Sequence, residues 1–186
     1  RPAYAAVCFI KHTNACGSAI ANETPAGKSV NDARIDAYRR AYLGDPNAAM
    51  GGILAVNFPV DAEFAAAVLE TYQRWGKPLK EAGAKHAPGG FFVEVWLAPA
   101  FTDDAVALIR GTYDPKSAQP AAGETRIDTP PKKDWGKRVR LLAVGDMSVA
   151  PDPNELDYKR IAGGMLAQSP DLVGLNESSW EVVTQR

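Results

Sequence analysis

The amino-acid sequence predicts an α/β domain of βαβ type, and three observations carry that reading. Short apolar runs rich in β-branched and aromatic residues alternate with segments whose apolar residues recur every three or four positions. Glycine, proline and aspartate cluster between them, where the chain has to turn. Strand, helix, strand, helix, strand, helix is the order of a sheet served by crossover helices.

The first run, Ala5–Ile10, has the length and composition of a buried strand. It ends in Lys11-His12 and a turn-like Thr13-Asn14-Ala15-Cys16-Gly17. Ligands of open α/β sheets collect beyond the carboxyl ends of strands, so a cation and an imidazole delivered there suit a binding or catalytic site. The same pair reads equally well as the first solvated residues after a core strand. Ser18–Lys28, with Pro25 and Gly27, reads as a short connection. A helix begins near Ser29, with Asp32 completing an approximate capping box. Val30, Ala33, Ala37, Tyr38, Ala41 and Tyr42 form its apolar face, and Gly44-Asp45-Pro46-Asn47 stops it.

Met50-Gly51-Gly52 then leads into a second strand, Ile53–Val56. Paired glycines there permit positive φ or a close backbone approach. Asp61 caps a second helix with Phe64, Val68, Leu69, Tyr72 and Trp75 on one face and Gly76 after its end. Lys77–Gly90 is a loop or short helical turn whose Lys85-His86 pair reads as solvated surface. Phe91–Leu97 is the third strand, and Glu94 inside it must face solvent, a partner or a site. Thr102 caps the helix Thr102–Arg110, where Asp103 and Asp104 complement the dipole and Gly111 is the stop. Thr112–Gly136 is an excursion or a boundary between layers. Arg138–Val144 comes next as a half-exposed strand, Leu156–Gln168 as strand structure broken at Gly163-Gly164, and Glu177–Thr184 as a helix.

A chain of 186 residues accommodates one domain or two small ones, with a core that needs no staples. Net charge of −1 supplies no electrostatic reason for a nucleic-acid or membrane partner. No apolar run has the length of a membrane span, and no signal-peptide pattern opens the chain. Arg1-Pro2 ahead of an immediate core strand suggests an excised piece. Cys8 and Cys16 form neither a disulfide framework nor a metal-binding pair, so two reduced thiols in a cytoplasmic protein are expected. Phosphate-binding and dinucleotide-binding glycine loops, the zinc-deaminase pattern and the hydrolase nucleophile elbow are all missing. Two histidines rule out a His-rich metal site. What remains is Lys11-His12, the Met50-Gly51-Gly52 turn and Glu94, at the edges of three successive strands, where a shared sheet would let them converge on one mouth.

Four blocks carry a family resemblance. K-H-T-N-A-C-G (Lys11–Gly17) resembles the K-H-x-N-P-C-G motif of the transformylase part of the AICAR transformylase/IMP cyclohydrolase family. D-A-Y-R-R-A-Y-L-G-D-P-N-A-A-M-G-G-I-L-A-V-N (Asp36–Asn57) is similar to the family's A-Y-x-x-A-x-x-x-D-P-x-S-A-F-G-G-I-I-A-x-N, and F-V-E-V-W-L-A-P (Phe92–Pro99) to its F-x-E-V-I-I-A-P. The close, Glu155–Gln168 through Val182–Arg186, resembles the ending of the same half-domain.

The resemblance implies a three-layer, cytidine-deaminase-like α/β domain with a mixed sheet and no zinc. It implies transfer of a formyl group from 10-formyltetrahydrofolate to the 5-amino group of AICAR, with Lys11 and His12 catalytic. Asn14, Met50, Gly51 and Glu94 fall at substrate-binding positions. A homodimer, and potassium in the complete enzyme, come with the same kinship. Ala15 stands where the family has proline and Met50 where it has phenylalanine. On this reading, residues 1–186 are the first half-domain of a transformylase region in a longer chain, lacking the second half-domain. The alternative is a non-catalytic nucleotide-binding or dimerisation domain of the same descent.

Overall fold

Tyr4–Lys11 forms β1, whose alternate residues Ala5, Val7 and Phe9 are buried, as a strand with one face on a core requires. The computed structural model describes residues 4–23, 29–118, 120, 125–131, 133–147, 152–170 and 172. They fall into two compact units, Arg1–Met147 and Ser148–Arg186.

In the first unit β1 is followed by β2 (Asn14–Asn22), α1 (Val30–Gly44), α2 (Pro46–Ala49) and β3 (Gly52–Val56). Then come α3 (Ala62–Leu69), a π-helical turn (Tyr72–Gly76) and α4 (Lys77–Glu81). β4 (Val93–Ala98), α5 (Asp103–Arg110), a 3-10 turn (Asp134–Lys137) and β5 (Arg140–Ala143) complete it. The sheet order is β2-β1-β3-β4-β5, with β1 antiparallel to both neighbours and β3, β4 and β5 parallel. This is the mixed α/β sheet expected.

Right-handed crossovers that all step the same way across a sheet put their helices on one face. Tyr38 and Tyr42 of α1 accordingly pack on Phe9, with ring centroids 5.4 and 6.4 Å away. Phe64 of α3 meets Trp96 of β4 at 6.0 Å, and Leu108 and Ile109 of α5 close the same cluster. The opposite face is apolar and only half-buried through Cys8, Ile10, Ile53, Ala55 and Leu97. It carries no helix among the described residues, which therefore supply two of the three expected layers.

Several boundaries differ from expectation. The segment read as a turn and a connection is largely strand β2, paired antiparallel along β1. Its Ala-, Gly- and Ser-rich composition hides it, and packing explains that composition. A Cβ on Gly17 would lie 2.0 Å from the Ala41 carbonyl oxygen of α1, so helix and strand touch backbone to backbone. The helix capped by Asp61 ends at Leu69, and Gly76 does not stop it. Thr71, fully buried, donates its hydroxyl proton to the Val68 carbonyl at 2.7 Å and accepts from Tyr38 at 2.6 Å. A hydroxyl placed against a helical carbonyl disturbs the i→i−4 ladder, and the π turn begins at the next residue. Gly76 is a packing residue within the helical run, where a Cβ would stand 2.8 Å from the Tyr72 ring.

Other expectations hold with shifted ends. Ser29 and Asp32 form a full capping box on α1. Thr102 caps α5, whose C-cap Gly111 is left-handed at φ +77°. Lys85 and His86 are exposed. In the second unit, Leu156–Gln168 is a hairpin, β6 (Asp157–Ile161) with β7 (Gly164–Gln168), turning at Gly163 with φ +80°. The helix expected at residues 177–184 lies outside the described residues.

Two outcomes are expected. Gly17→Ala should lower unfolding stability by about 3 kcal/mol, since the clash is with backbone that cannot swing aside. Chemical denaturation reads this, and a loss under about 0.5 kcal/mol would refute the close contact. Burial pushes the Tyr42 phenol up to about 12, and burial likewise raises that of Tyr38 well above the ordinary tyrosine value. Both are neutral in the fold, so stability is intact below the unfolded tyrosine value near pH ~10 and is lost as pH rises above it. Urea unfolding between pH 9 and pH 12 should show that decline (the range brackets the ordinary tyrosine value of ~10), and a flat profile would contradict it.

Candidate functional site

Lys11 and Asn14 are the last pair of the β1–β2 ladder, which leaves His12 and Thr13 as a two-residue hairpin turn. Both are left-handed, at φ +53° and +67°, as the right-handed twist of a hairpin demands. Neither is Gly or Asn, and a β-branched residue held there costs about 1–2 kcal/mol. Thr13 Oγ donates to the His12 carbonyl at 2.6 Å, which fixes part of the turn. The His12 and Asn14 side chains are exposed, with no polar partner among the described residues.

Lys11 is held. Its Nζ donates to the Met50 carbonyl at 2.7 Å, across 39 residues of chain. Met50 (φ −64°, ψ 124°) and Gly51 (φ +72°) form the turn that aims this carbonyl at β1. The Gly51 N–H donates to the Phe92 carbonyl at 2.8 Å, and a Cβ there would lie 3.1 Å from the Phe92 ring. On Gly52 a Cβ would press on the Ile10 carbonyl, also at 3.1 Å. Both glycines therefore have backbone reasons to be glycine.

Glu94 is exposed on β4, two strands and so about 10 Å from β1. It lies 3.6 Å from Arg140 of β5, and its ion-pair partner is that arginine. Lys11, Met50 and Gly51 thus come together, while Glu94 and Asn14 flank them on the same edge. That edge is the carboxyl end of β1 but the amino end of β3, β4 and β5, because β1 runs against them. The expected rule of carboxyl-terminal strand ends is met by one strand alone. Phe92 and Arg140 belong to this edge too; Phe92 lies two residues before Glu94 in the sequence, whereas Arg140 meets Glu94 only through the pairing of β5 with β4.

Cys16 is the extra residue of a β-bulge, since Phe9 pairs with Gly17 and Ile10 with Ala15. Its Sγ lies 3.4 Å from the Phe9 carbonyl oxygen. Burial pushes the Cys16 thiol up, so it stays protonated near neutrality. Both cysteines are free, and no group of His, Cys, Asp and Glu among the described residues could hold a metal ion. No helix among them is long and apolar enough to cross a membrane.

Chemically, the edge offers an ammonium with donors to spare, since one of its three N–H bonds is spent on Met50. Beside it stands an imidazole open to solvent.

A family model described as AICARFT/IMPCHase bienzyme matches residues 2–115. The chain belongs to the AICARFT/IMPCHase bienzyme family. It is 30% identical over 182 residues to the bifunctional purine biosynthesis protein PurH of Polynucleobacter asymbioticus, covering 98% of this chain and 24% of that protein. The protein of the same name from a Cyanothece species is 31% identical over 180 residues, 97% of this chain and 24% of the relative. The chain spans about a quarter of the length of these curated relatives. The matched region of the bienzyme family contains the hairpin turn, the Lys11–Met50 clasp and Glu94.

Thr13→Gly should relieve the turn and raise stability by about 1 kcal/mol, read from denaturant midpoints. A loss of more than about 1 kcal/mol, beyond what the lost Thr13 hydroxyl bond and the added glycine freedom account for, would speak against a left-handed turn.

Proposed function

We propose that this chain carries the Lys-His element of an AICAR formyltransferase in purine (IMP) biosynthesis. The observation that carries the proposal is the 2.7 Å bond that fixes the Lys11 ammonium beside the His12 turn. In this reading the 5-amino nitrogen of AICAR attacks the formyl carbon of 10-formyltetrahydrofolate. Charge gathers on the formyl oxygen, and a Lys11 N–H not used by Met50 donates to it. His12 takes the proton that the attacking amine sheds. The bond from the formyl carbon to folate N10 then breaks, N10 receives that proton, and the products are FAICAR and tetrahydrofolate. Met50, Gly51, Asn14 and Glu94 are assigned to hold the nucleotide along the sheet edge. A three-layer, cytidine-deaminase-like domain, a homodimer and a cytoplasmic location belong to the same proposal. Potassium in the complete enzyme belongs to the same proposal, and no step is assigned to it.

A second reading has one observation in its favour: no described residue orients the His12 ring. It makes the domain a non-catalytic nucleotide-binding or dimerisation relative.

Lys11→Ala and His12→Ala, made in the protein as its own gene encodes it, should each slow formyl transfer by about 100-fold or more while leaving the circular dichroism spectrum unchanged. Near-normal turnover in either variant sinks the assignment. AICAR binding without any transfer by the unaltered protein would establish the second reading instead.

A further inference from the structure

Beyond Glu94 the same edge deepens into a groove of about 430 Å³, lined among others by Phe92, Glu94, Trp135, Arg138 and Arg140. It has three properties of a built site. The first is uncompensated positive charge. The Arg138 guanidinium has no acceptor among the described residues, and Arg140 has only Glu94, 3.6 Å away and exposed. The second is an aromatic wall, in which the Trp135 indole Nε1 is buried without a hydrogen-bond partner in the described structure. The third is a rigid mount. Arg110 of α5 donates from Nη1 to the carbonyls of Gly136 and Val139, at 2.8 and 2.9 Å, and so ties down the segment carrying Trp135 and Arg138. A Cβ on Gly136 would lie 2.2 Å from the Ile109 carbonyl, so this segment is pressed against α5.

The groove is continuous with the candidate site. Phe92 reaches from one to the other, bonded through its carbonyl to Gly51 and lying with its ring over that glycine. From β1 to β5 is three strand spacings, about 14 Å.

We propose that this groove binds the anionic end, phosphate or carboxylate, of an elongated ligand whose planar ring lies against Phe92 and Trp135 and whose reacting end meets Lys11. Guanidinium groups grip both anions through paired N–H donors, and planar rings stack on aromatic side chains. The inference rests on the proposed formyl transfer for the position of the reacting end, and on the groove alone for the anion.

The test is calorimetric titration of the whole 186-residue chain at low and moderate salt with four probes. AICAR and its dephosphorylated nucleoside report on a phosphate, and folate and its dimethyl ester, whose glutamate carboxylates are masked, on a carboxylate. The expected result is that one anionic probe binds and that its uncharged or shortened counterpart binds at least tenfold more weakly. Arg138→Gln with Arg140→Gln should remove that tenfold advantage and flatten the salt dependence. Arg138→Lys with Arg140→Lys should restore part of it, which a merely structural role would not do. Equal binding by the unaltered chain and the glutamine variant, or no binding of any probe at millimolar concentration, overturns the proposal. Lys11→Ala separates the two readings: it should leave the anion advantage in place. Intact anion binding with no formyl transfer by the gene-encoded protein would remove the proposed function and keep the groove.

Discussion

The antiparallel setting of β1 between β2 and β3 is the constraint on which the rest of this structure depends. Were β1 parallel to β3, Lys11 would leave the sheet at the end opposite Met50, and no side chain could bridge the gap. Running against its neighbour, β1 brings its last residue to the start of β3, within reach of the Met50 carbonyl. The hydrophobic face that burying Val7 and Phe9 creates settles which residues of β1 point into the core. The hairpin turn is then dictated by geometry, since β2 must return at once along β1 with Gly17 beneath α1.

Charge is distributed with the same economy. A chain of net charge −1 concentrates three cations, Lys11, Arg138 and Arg140, on one sheet edge, with Glu94 among them. Acidic groups elsewhere are used as caps and in pairs: Asp45 and Asp61 accept from helix N–H groups, Asp32 accepts from the N–H of the N-cap Ser29, and Asp36 and Glu70 hold arginines on helix surfaces. Such exposed pairs contribute little stability, a median of about 0–1 kcal/mol each. Among the described residues they leave Arg138 without an acidic partner and Arg140 with Glu94 alone.

Helices and the central strands were legible because their signals are local. Ser29 and Asp32 announce α1, Thr102 and Gly111 bracket α5, and the apolar runs before Lys11 and after Gly52 mark β1 and β3. Strand β2 was not legible, because its residues are chosen by what lies above them and are too small to carry a strand's usual apolar signature. The π turn was equally hidden, for it arises from a threonine hydroxyl shared with Tyr38, a contact 33 residues away. At the site, the chemistry-bearing types Lys11 and His12 stand out in the sequence, and the lysine's acceptor is a backbone carbonyl, which no residue type can advertise.

The π turn also governs the helical segment downstream of it. One residue beyond the α-helical repeat rotates every later residue by about 100° about the helix axis. Trp75 still reaches inward, 5.6 Å from Tyr38, yet α4 buries none of its residues. The crossover from β3 to β4 is thus two short rods joined by a slip of phase. Along it, adding or losing a single residue registers as a rotation of the outer rod, whereas in an ordinary loop the same change only alters length.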